Sequence, residues 1–361
     1  FLSKTMTLNL LRNLMTTLLI MLVLVVLTAA GAVAFLAITE YKPRPVETLE
    51  IRNNQPANAA GKRRFSCLTW NIGYAGLGKE MDFFYEGGKQ VRPSLPETER
   101  YLHGIITTLS SLDSVDFMML QEVDLHSKRS HYINEYEQIL QGLPGYGSMV
   151  AVNYNCRFVP VPLVHPMGRV LSGIVSLSKW NIASSTRHAY NAFFPWPKRL
   201  AFLKRCFSAQ RVPLDNGKEL VWVNLHNSTF DEQGTLRKAE MEQLQKFLLE
   251  EYNKGNYILA GGDWNMNPRG FEPGSIRTGD QTHVIQPLVT PDFLPGWQFV
   301  FDPSVPTNRD VNRPYSTGLN TTTLIDFWVV SPNIRTASVK TLNSGFAFSD
   351  HNPVIFTFQL Q

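Results

Sequence analysis

Cysteine is scarce in this chain of 361 residues, represented only by Cys67, Cys156 and Cys206. They fall at no metal-binding spacing and are too few for a disulfide framework. Three isolated thiols are expected, with a Cys156–Cys206 bridge as the alternative. No His-Glu-x-x-His spacing occurs, which together with the shortage of thiolates argues against zinc. An excess of either charge is also nearly missing: 34 Lys and Arg against 30 Asp and Glu leave +4. That excess suits a surface meeting phosphates but does not identify a nucleic-acid partner. There is no internal repeat, so solenoid architectures drop out. With 43% hydrophobic and 18% charged residues the chain can bury a core, which excludes a disordered protein.

The most telling absence is local. From Leu14 to Ile38 there is no charged residue. Roughly 25 residues at ~1.5 Å each make ~37 Å of helix, enough to cross a hydrocarbon layer of ~30 Å. A core helix is rarely apolar all round for that length. A cleaved signal peptide is the competing reading, because Ala32-Val33-Ala34 has the small residues of a cleavage site, yet the apolar run exceeds a signal sequence's ~7–15 residues. The expected layout is a tail over 1–13, a transmembrane helix over 14–38, a linker over 39–64 and one domain over 65–361. Pro43, Pro45, Pro56 and a polar run mark the linker. Its closing Lys62-Arg63-Arg64 suits either solvent or anionic head groups. Flanking charge is nearly balanced, and the short tail favours an N-terminus in the cytoplasm. A single-pass membrane protein with an extracytoplasmic domain is therefore expected.

Within the domain, apolar runs over 65–72, 115–120, 173–177, 220–225, 257–260, 324–330 and 354–358 predict strands. Leu102, Ile105, Ile106, Leu109 and Leu112 recur at helical spacing, as do Met241, Leu244 and Leu248. Strands and helices mix throughout, which predicts one α/β domain of unspecified strand order.

Polar residues stand where these apolar runs stop. Asn71 ends the first, in TWNIG, and Glu122 follows the second, in MLQEVD. His226 ends VNLH, Asp263 and Asn265 lie in GGDWN, Asp326 lies in LIDF, and Asp350-His351 precede the last strand. Strand ends are rigid, so such residues can be held to tight tolerance. Carboxylates with carboxamides make hard oxygen donors that suit Mg²⁺, with Mn²⁺ as the alternative. Taken singly, Asn71 reads as a turn former, Asp263 as an Asx-turn residue and His226 as an ordinary histidine. Asp326 inside an apolar strand is harder to set aside, because a lone buried carboxylate is costly.

The ordered series WN, QE, NLH, GDWN, IDF and SDH resembles the endonuclease/exonuclease/phosphatase family, which includes DNase I-like nucleases, inositol-polyphosphate phosphatases and neutral sphingomyelinases. The likeness covers about residues 65–361. It implies a four-layer α/β sandwich, two packed β-sheets flanked by helices. It also implies Mg²⁺-dependent hydrolysis of a phosphoester. Position by position, it implies metal binding by Glu122, helped by Asn71 and completed by Asp350. Asp263 would orient or deprotonate the attacking water, and Asn265 would donate to phosphate. Asp326 would pair with His351, and His226 would face the phosphate or leaving oxygen. The base is left open between Asp263 and His351. Asn227-Ser228 follow His226 where the family commonly has Leu, a departure that bears on substrate contacts.

Two inserts bear on substrate. In Asp82–Pro93, Lys89 and Arg92 are candidate phosphate clamps or solvated loop charges. Tyr190–Phe207 reads YNAFFPWPKRLAFLKRCF and suits a membrane interface, single-stranded nucleic acid, or plain core with exposed cations. A tethered site favours lipid, so a membrane-anchored phospholipid phosphoesterase is the first expectation. A surface or periplasmic nuclease comes second and a non-catalytic scaffold third.

Overall fold

Side chains on a strand alternate between its two faces, so a strand buried on both faces must satisfy two different neighbours. The structure, a computed structural model, describes residues 2–229, 231, 234–272 and 287–361. In chain order its elements are α1 (Leu2–Ile38), β1 (Val46–Thr48), β2 (Arg64–Asn71), α2 (Leu95–Ser111), β3 (Phe117–Asp124), α3 (Glu135–Gly142), β4 (Gly147–Val159) and β5 (Gly168–Ser178). Then come β6 (Ser184–Ala189), β7 (Cys206–Pro213), β8 (Glu219–His226), α4 (Thr235–Asn253), β9 (Tyr257–Asp263) and β10 (Gln298–Val300). The last are β11 (Asn308–Arg309), β12 (Thr322–Thr323), β13 (Asp326–Val330), β14 (Ile334–Thr341) and β15 (Val354–Leu360).

Two mixed sheets result. One has seven strands in the order β1-β6-β7-β8-β9-β13-β10, the other six in the order β14-β15-β2-β3-β5-β4. Odd residues of β2 and β3, Phe65, Cys67, Phe117 and Met119, meet Leu220, Trp222, Leu259, Trp328 and Phe356 in a core between the sheets. Even residues, Leu68, Trp70, Met118 and Leu120, face Tyr101, Leu102, Ile105 and Ile139 of α2 and α3. Across the other sheet, Val221, Val223, Ile258 and Ala260 carry Met241, Leu244 and Leu248 of α4. The layers run helix, sheet, sheet, helix, as the four-layer expectation has it.

The helices start where their sequences allow. Ser94 and Glu97 form a reciprocal capping box at α2, and Asn134 accepts the backbone N–H of Glu137 at α3. Burying Leu244 and Leu248 of α4 contributes roughly 3–6 kcal/mol together, as an upper bound. Strands β4, β6 and β14 were not legible because they mix polar residues among apolar ones. In β6, for instance, Arg187 is buried because its guanidinium donates to the Val152 and Lys204 carbonyls at 2.9 and 3.1 Å. All three cysteines are free and buried, so the Cys156–Cys206 bridge does not form.

Two N-terminal features depart from the expected layout. Helix α1 begins at Leu2, so the uncharged run is the distal part of a longer helix, long and apolar enough to cross a membrane. Residues 39–64 are not a free linker. Val46–Thr48 extend the seven-stranded sheet at its edge, antiparallel to β6. Beyond it, Arg52 pairs with Glu137, Asn54 clasps both backbone groups of Ile182, and Leu49 and Ile51 pack on the inter-sheet core. The strand is three residues long and follows two prolines, which an edge position tolerates.

A chain beginning at Arg64 should therefore be less stable than one beginning at Glu40, by roughly 2–4 kcal/mol for the apolar contacts of Leu49 and Ile51. Urea unfolding of the two would check this, and equal midpoints would show that the segment contributes no stability.

Candidate active site

The polar residues at the strand ends continue the inward-facing series of each strand. Asn71 follows Phe65 and Cys67, His226 follows Leu220 and Trp222, and Asp263 follows Tyr257 and Leu259. β2 runs parallel to β3 and β8 parallel to β9, while β13 enters antiparallel beside β9. In register, Asp263 therefore lies between His226 and Asp326. The inter-sheet core thus ends in a polar pocket built from both sheets.

Two local devices make the pocket fit. By strict alternation Glu122 would face the helices. The β3–β5 register slips between Leu120 and Val123, and Glu122 takes a left-handed φ of 55°. This bulge turns its carboxylate back toward Asn71. Ahead of Asp263, a Cβ on Gly261 would lie 2.2 Å from the Trp328 ring, and one on Gly262, at φ 145°, would lie 2.0 Å from the Leu225 carbonyl. The two glycines thus let Asp263 approach both neighbouring strands.

Contacts in the pocket are close. Asn71 Nδ2 donates to Asp263 Oδ2 at 3.0 Å and to Glu122 Oε1 at 3.3 Å. His226 Nε2 lies 3.3 Å from Asp263 Oδ2 and 3.8 Å from Glu122. His351 Nδ1 lies 2.7 Å from Asp326 Oδ2, while its Nε2 lies 3.8 Å from Asp263 and 4.0 Å from Asp350. Asp263 Oδ1 accepts the Asn265 backbone N–H at 2.9 Å, an Asx turn inside the pocket. One N–H of the Asn265 amide donates to the Asn227 carbonyl at 3.0 Å.

Burial and neighbouring charge drive the two imidazoles apart. Burial, then the Arg205 and His351 charges, hold His226 well below the usual histidine range, so it is neutral. For His351 burial pulls downward too, but the Asp326, Asp350 and Asp263 carboxylates outweigh it and hold the ring protonated, well above the usual range. Burial raises Asp263 to about 6, with His351 and Asn71 pulling down and Asp326 pushing up. Burial also raises Asp350 to about 6, against the pull of His351 and with the push of Glu122.

Two groupings could take a cation. Asp263, Asp326 and His351 bring donor atoms within 4.8 Å of one another. That set is better described as a hydrogen-bonded chain, because His351 Nδ1 is engaged by Asp326 and its ring is protonated. Glu122 and Asp350 push on each other, and no lysine or arginine forms an ion pair with either among the described residues. A divalent cation fits that pair of hard donors and would relieve their repulsion. Asn71 does not present its oxygen there. Its Oδ1 accepts the Gly73 N–H at 3.0 Å, which turns the NH₂ toward the carboxylates.

Asn71, Glu122, His226, Asp263, Asp326 and His351 thus meet, with Asn265 and Asp350 at their border. Among the described residues no hydrogen bond or ion pair joins Lys89 or Arg92 to them. Lys89 is exposed, and Arg92 is half-buried with Nη1 enclosed and unpaired. Three residues were missed as site candidates. Arg205 is 8% exposed, its Nη1 has no partner, and its charge acts on Glu122 and Asp263. The Asn308 amide lies 3.0 Å from His351 Nε2, and beside the protonated ring it must present its oxygen as the acceptor. Tyr74 lies under Arg129, 3.7 Å from guanidinium to ring, and Arg129 forks onto Asp124 two residues beyond Glu122. Only Arg205, in the aromatic-basic stretch, carried a signal in sequence.

The sequence profile described as the Endonuclease/Exonuclease/phosphatase family matches residues 68–351. A search of curated protein sequences returns no match. Among solved structures, an endonuclease/exonuclease/phosphatase from Beutenbergia cavernae aligns at TM-score 0.55 and 17% identity, over 83% of this chain and 72% of that one. ANGEL2, a 2',3'-cyclic phosphatase with adenosine-2',3'-vanadate, aligns at 0.54 and 14%, over 89% and 99%. D. rerio TDP2 with a single-strand DNA product aligns at 0.50 and 13%, over 82% and 99%. At these identities the similarity is one of fold.

The pocket's electrostatics make a testable prediction. Asp350, raised to about 6 in the fold, ionises near 3.9 when unfolded. It therefore costs nothing below about pH 4, and the cost grows as pH rises and is complete above about 6, roughly 3 kcal/mol at most. Asp350→Asn should raise the melting temperature in EDTA at pH 7.5 and lose the increment that Mg²⁺ gives the unsubstituted protein. A lower melting temperature with the Mg²⁺ increment intact would refute this account of Asp350.

Proposed function

Because the chain belongs to the Endonuclease/Exonuclease/phosphatase family, whose members are phosphoester hydrolases, we propose that it is a membrane-anchored, Mg²⁺-dependent hydrolase of a phospholipid or related phosphodiester. The observation that carries the reading is the pocket in which Asp263 contacts the neutral His226 and faces the protonated His351. A metal ion held by Glu122 and Asp350, with Mn²⁺ able to replace Mg²⁺, would supply Lewis-acid neutralisation of a phosphoryl oxygen.

Asp263 orients the attacking water and takes its proton. It ionises at about 6, so it is a carboxylate at neutral pH with useful basicity. Protonated His351 has no lone pair to act as base; steadied by Asp326, it donates to a phosphoryl oxygen and stabilises developing charge. Asn71 keeps Glu122 and Asp263 at a fixed spacing through its two N–H groups. The second N–H of Asn265 and the unpaired N–H of Arg205 are further donors for the phosphate. Asp263 and His351 titrate together, so the acid limb of a pH–rate profile belongs to the pair.

Lipid is favoured because one apolar cluster runs from Tyr74, whose hydroxyl is influenced by Glu122 and Asp350, to Val33, Leu36 and Ala37 of α1. A nuclease is the second reading, supported by the DNA product and the adenosine ligand in the two similar structures named above.

The test is Mg²⁺-dependent turnover of phospholipid vesicles, plasmid DNA and RNA, with Asp263→Ala as control. Lipid turnover falling at least ~10³-fold in the variant is expected. Nicking of DNA without lipid turnover, steeply salt-dependent, would establish the nuclease instead.

A further inference from the structure

Two loops outside the pocket expose apolar side chains that nothing among the described residues covers. Between β4 and β5, Leu163 and Val164 are 87% and 82% exposed. Between β6 and β7, Trp196 is 62% and Phe193 46% exposed. A soluble surface scatters such residues singly, and a cluster marks a partner.

The feet of both loops stand in one place. Met167 N–H donates to the Val161 carbonyl at 2.9 Å, closing the first loop below its tip. Tyr154 Oη donates to the Ala201 carbonyl at 2.7 Å, tying the second loop to β4. Val161, Met167, Leu200 and Ala201 pack in the same cluster as Val33, Leu36 and Ala37, the last turns of α1. Glu40, just past the helix, pairs with Lys204 at 2.8 Å and with Arg199 at 3.5 Å. Both loops therefore rise beside the point where the apolar helix leaves the domain.

Charge selects the occupant. Residues 157–167 and 191–203 contain no Asp or Glu, whereas Arg157 and Lys198 are exposed among them, as is Arg199 beside its partner Glu40. A second copy meeting this face symmetrically would bring cations against cations. An anionic leaflet would meet them with opposite charge, and Trp196 suits the head-group boundary.

We propose that this face docks on the bilayer, with the Leu163-Val164 and Phe193/Trp196 tips inserted at the head-group–acyl boundary of an anionic leaflet. The proposal rests on the reading of α1 as a membrane span. The helix then acts as tether, and the loops give the domain a fixed pose on the membrane it is tethered to.

The test uses the full chain reconstituted in vesicles of phosphatidylcholine and phosphatidylglycerol. An environment-sensitive nitrobenzoxadiazole label is placed on Leu163→Cys, on Trp196→Cys, on Lys246→Cys on the exposed face of α4, and on Leu24→Cys in α1. The unsubstituted chain, whose cysteines are buried, serves as the labelling blank. Labels at 163 and 196 should shift to the blue, lose emission to spin-labelled acyl chains and resist aqueous iodide, while the label at 246 does the reverse. If position 24 is quenched from the acyl chains but 163 and 196 behave like 246, the docking face is wrong and the anchor stands. If position 24 is not quenched from the lipid, the anchor fails and the proposal with it. If 163 and 196 resist both quenchers, protein covers the face, and a second copy replaces the bilayer as its occupant.

Discussion

The structure turns on confining carboxylates in a place that cannot solvate them. Asp263, Asp326 and Asp350 are buried at the end of the inter-sheet core, with Glu122 beside them. Desolvation, and then repulsion, push Asp263 and Asp350 upward, and the His351 imidazolium offsets only part of this. A bound cation would relieve the repulsion among these carboxylates. The stabilising burial lies elsewhere, in the apolar contacts between the sheets and under the helices.

That arrangement also explains the backbone oddities. A pocket at the end of a sandwich needs side chains from both sheets on one side, and strand alternation supplies only half of them. The left-handed turn at Glu122 corrects the parity of β3. Gly261 and Gly262 remove side chains where Trp328 and the Leu225 carbonyl already sit. Gln121 donates to Asn224 at 2.7 Å across the sheets just below, so the polar end is bound together as well as packed. Strain and buried polarity concentrate at the same few residues, as expected where a site overrides local preference.

Placement of the N-terminal segment matters as much as the pocket. A linker would leave the domain free to tumble relative to α1. A segment stitched through β1, Arg52 and Asn54, with α1 seated on the domain by Leu36, fixes the helix axis relative to the pocket. On the proposed reading of α1 as a membrane span, access to substrate is a question of geometry more than of tether length.

Much was legible in sequence because apolar runs and their periods are local signals. The strands around the pocket, the α2 and α4 faces and the polar residues at strand ends follow from runs such as MMLQEVD and YILAGGD. So does the apolar helix, since the absence of charge needs no tertiary context. The family follows from motifs in a fixed order. What local pattern could not reach were contacts between distant segments. The polar strand β6 is held by carbonyls far along the chain, β1 is too short to announce itself, and Arg205 gains its role only from the carboxylates around it. The orientation of Asn71 and the opposite protonation of His226 and His351 were likewise decided in three dimensions, because a charge state depends on burial and on neighbours that only the packed sheets bring together.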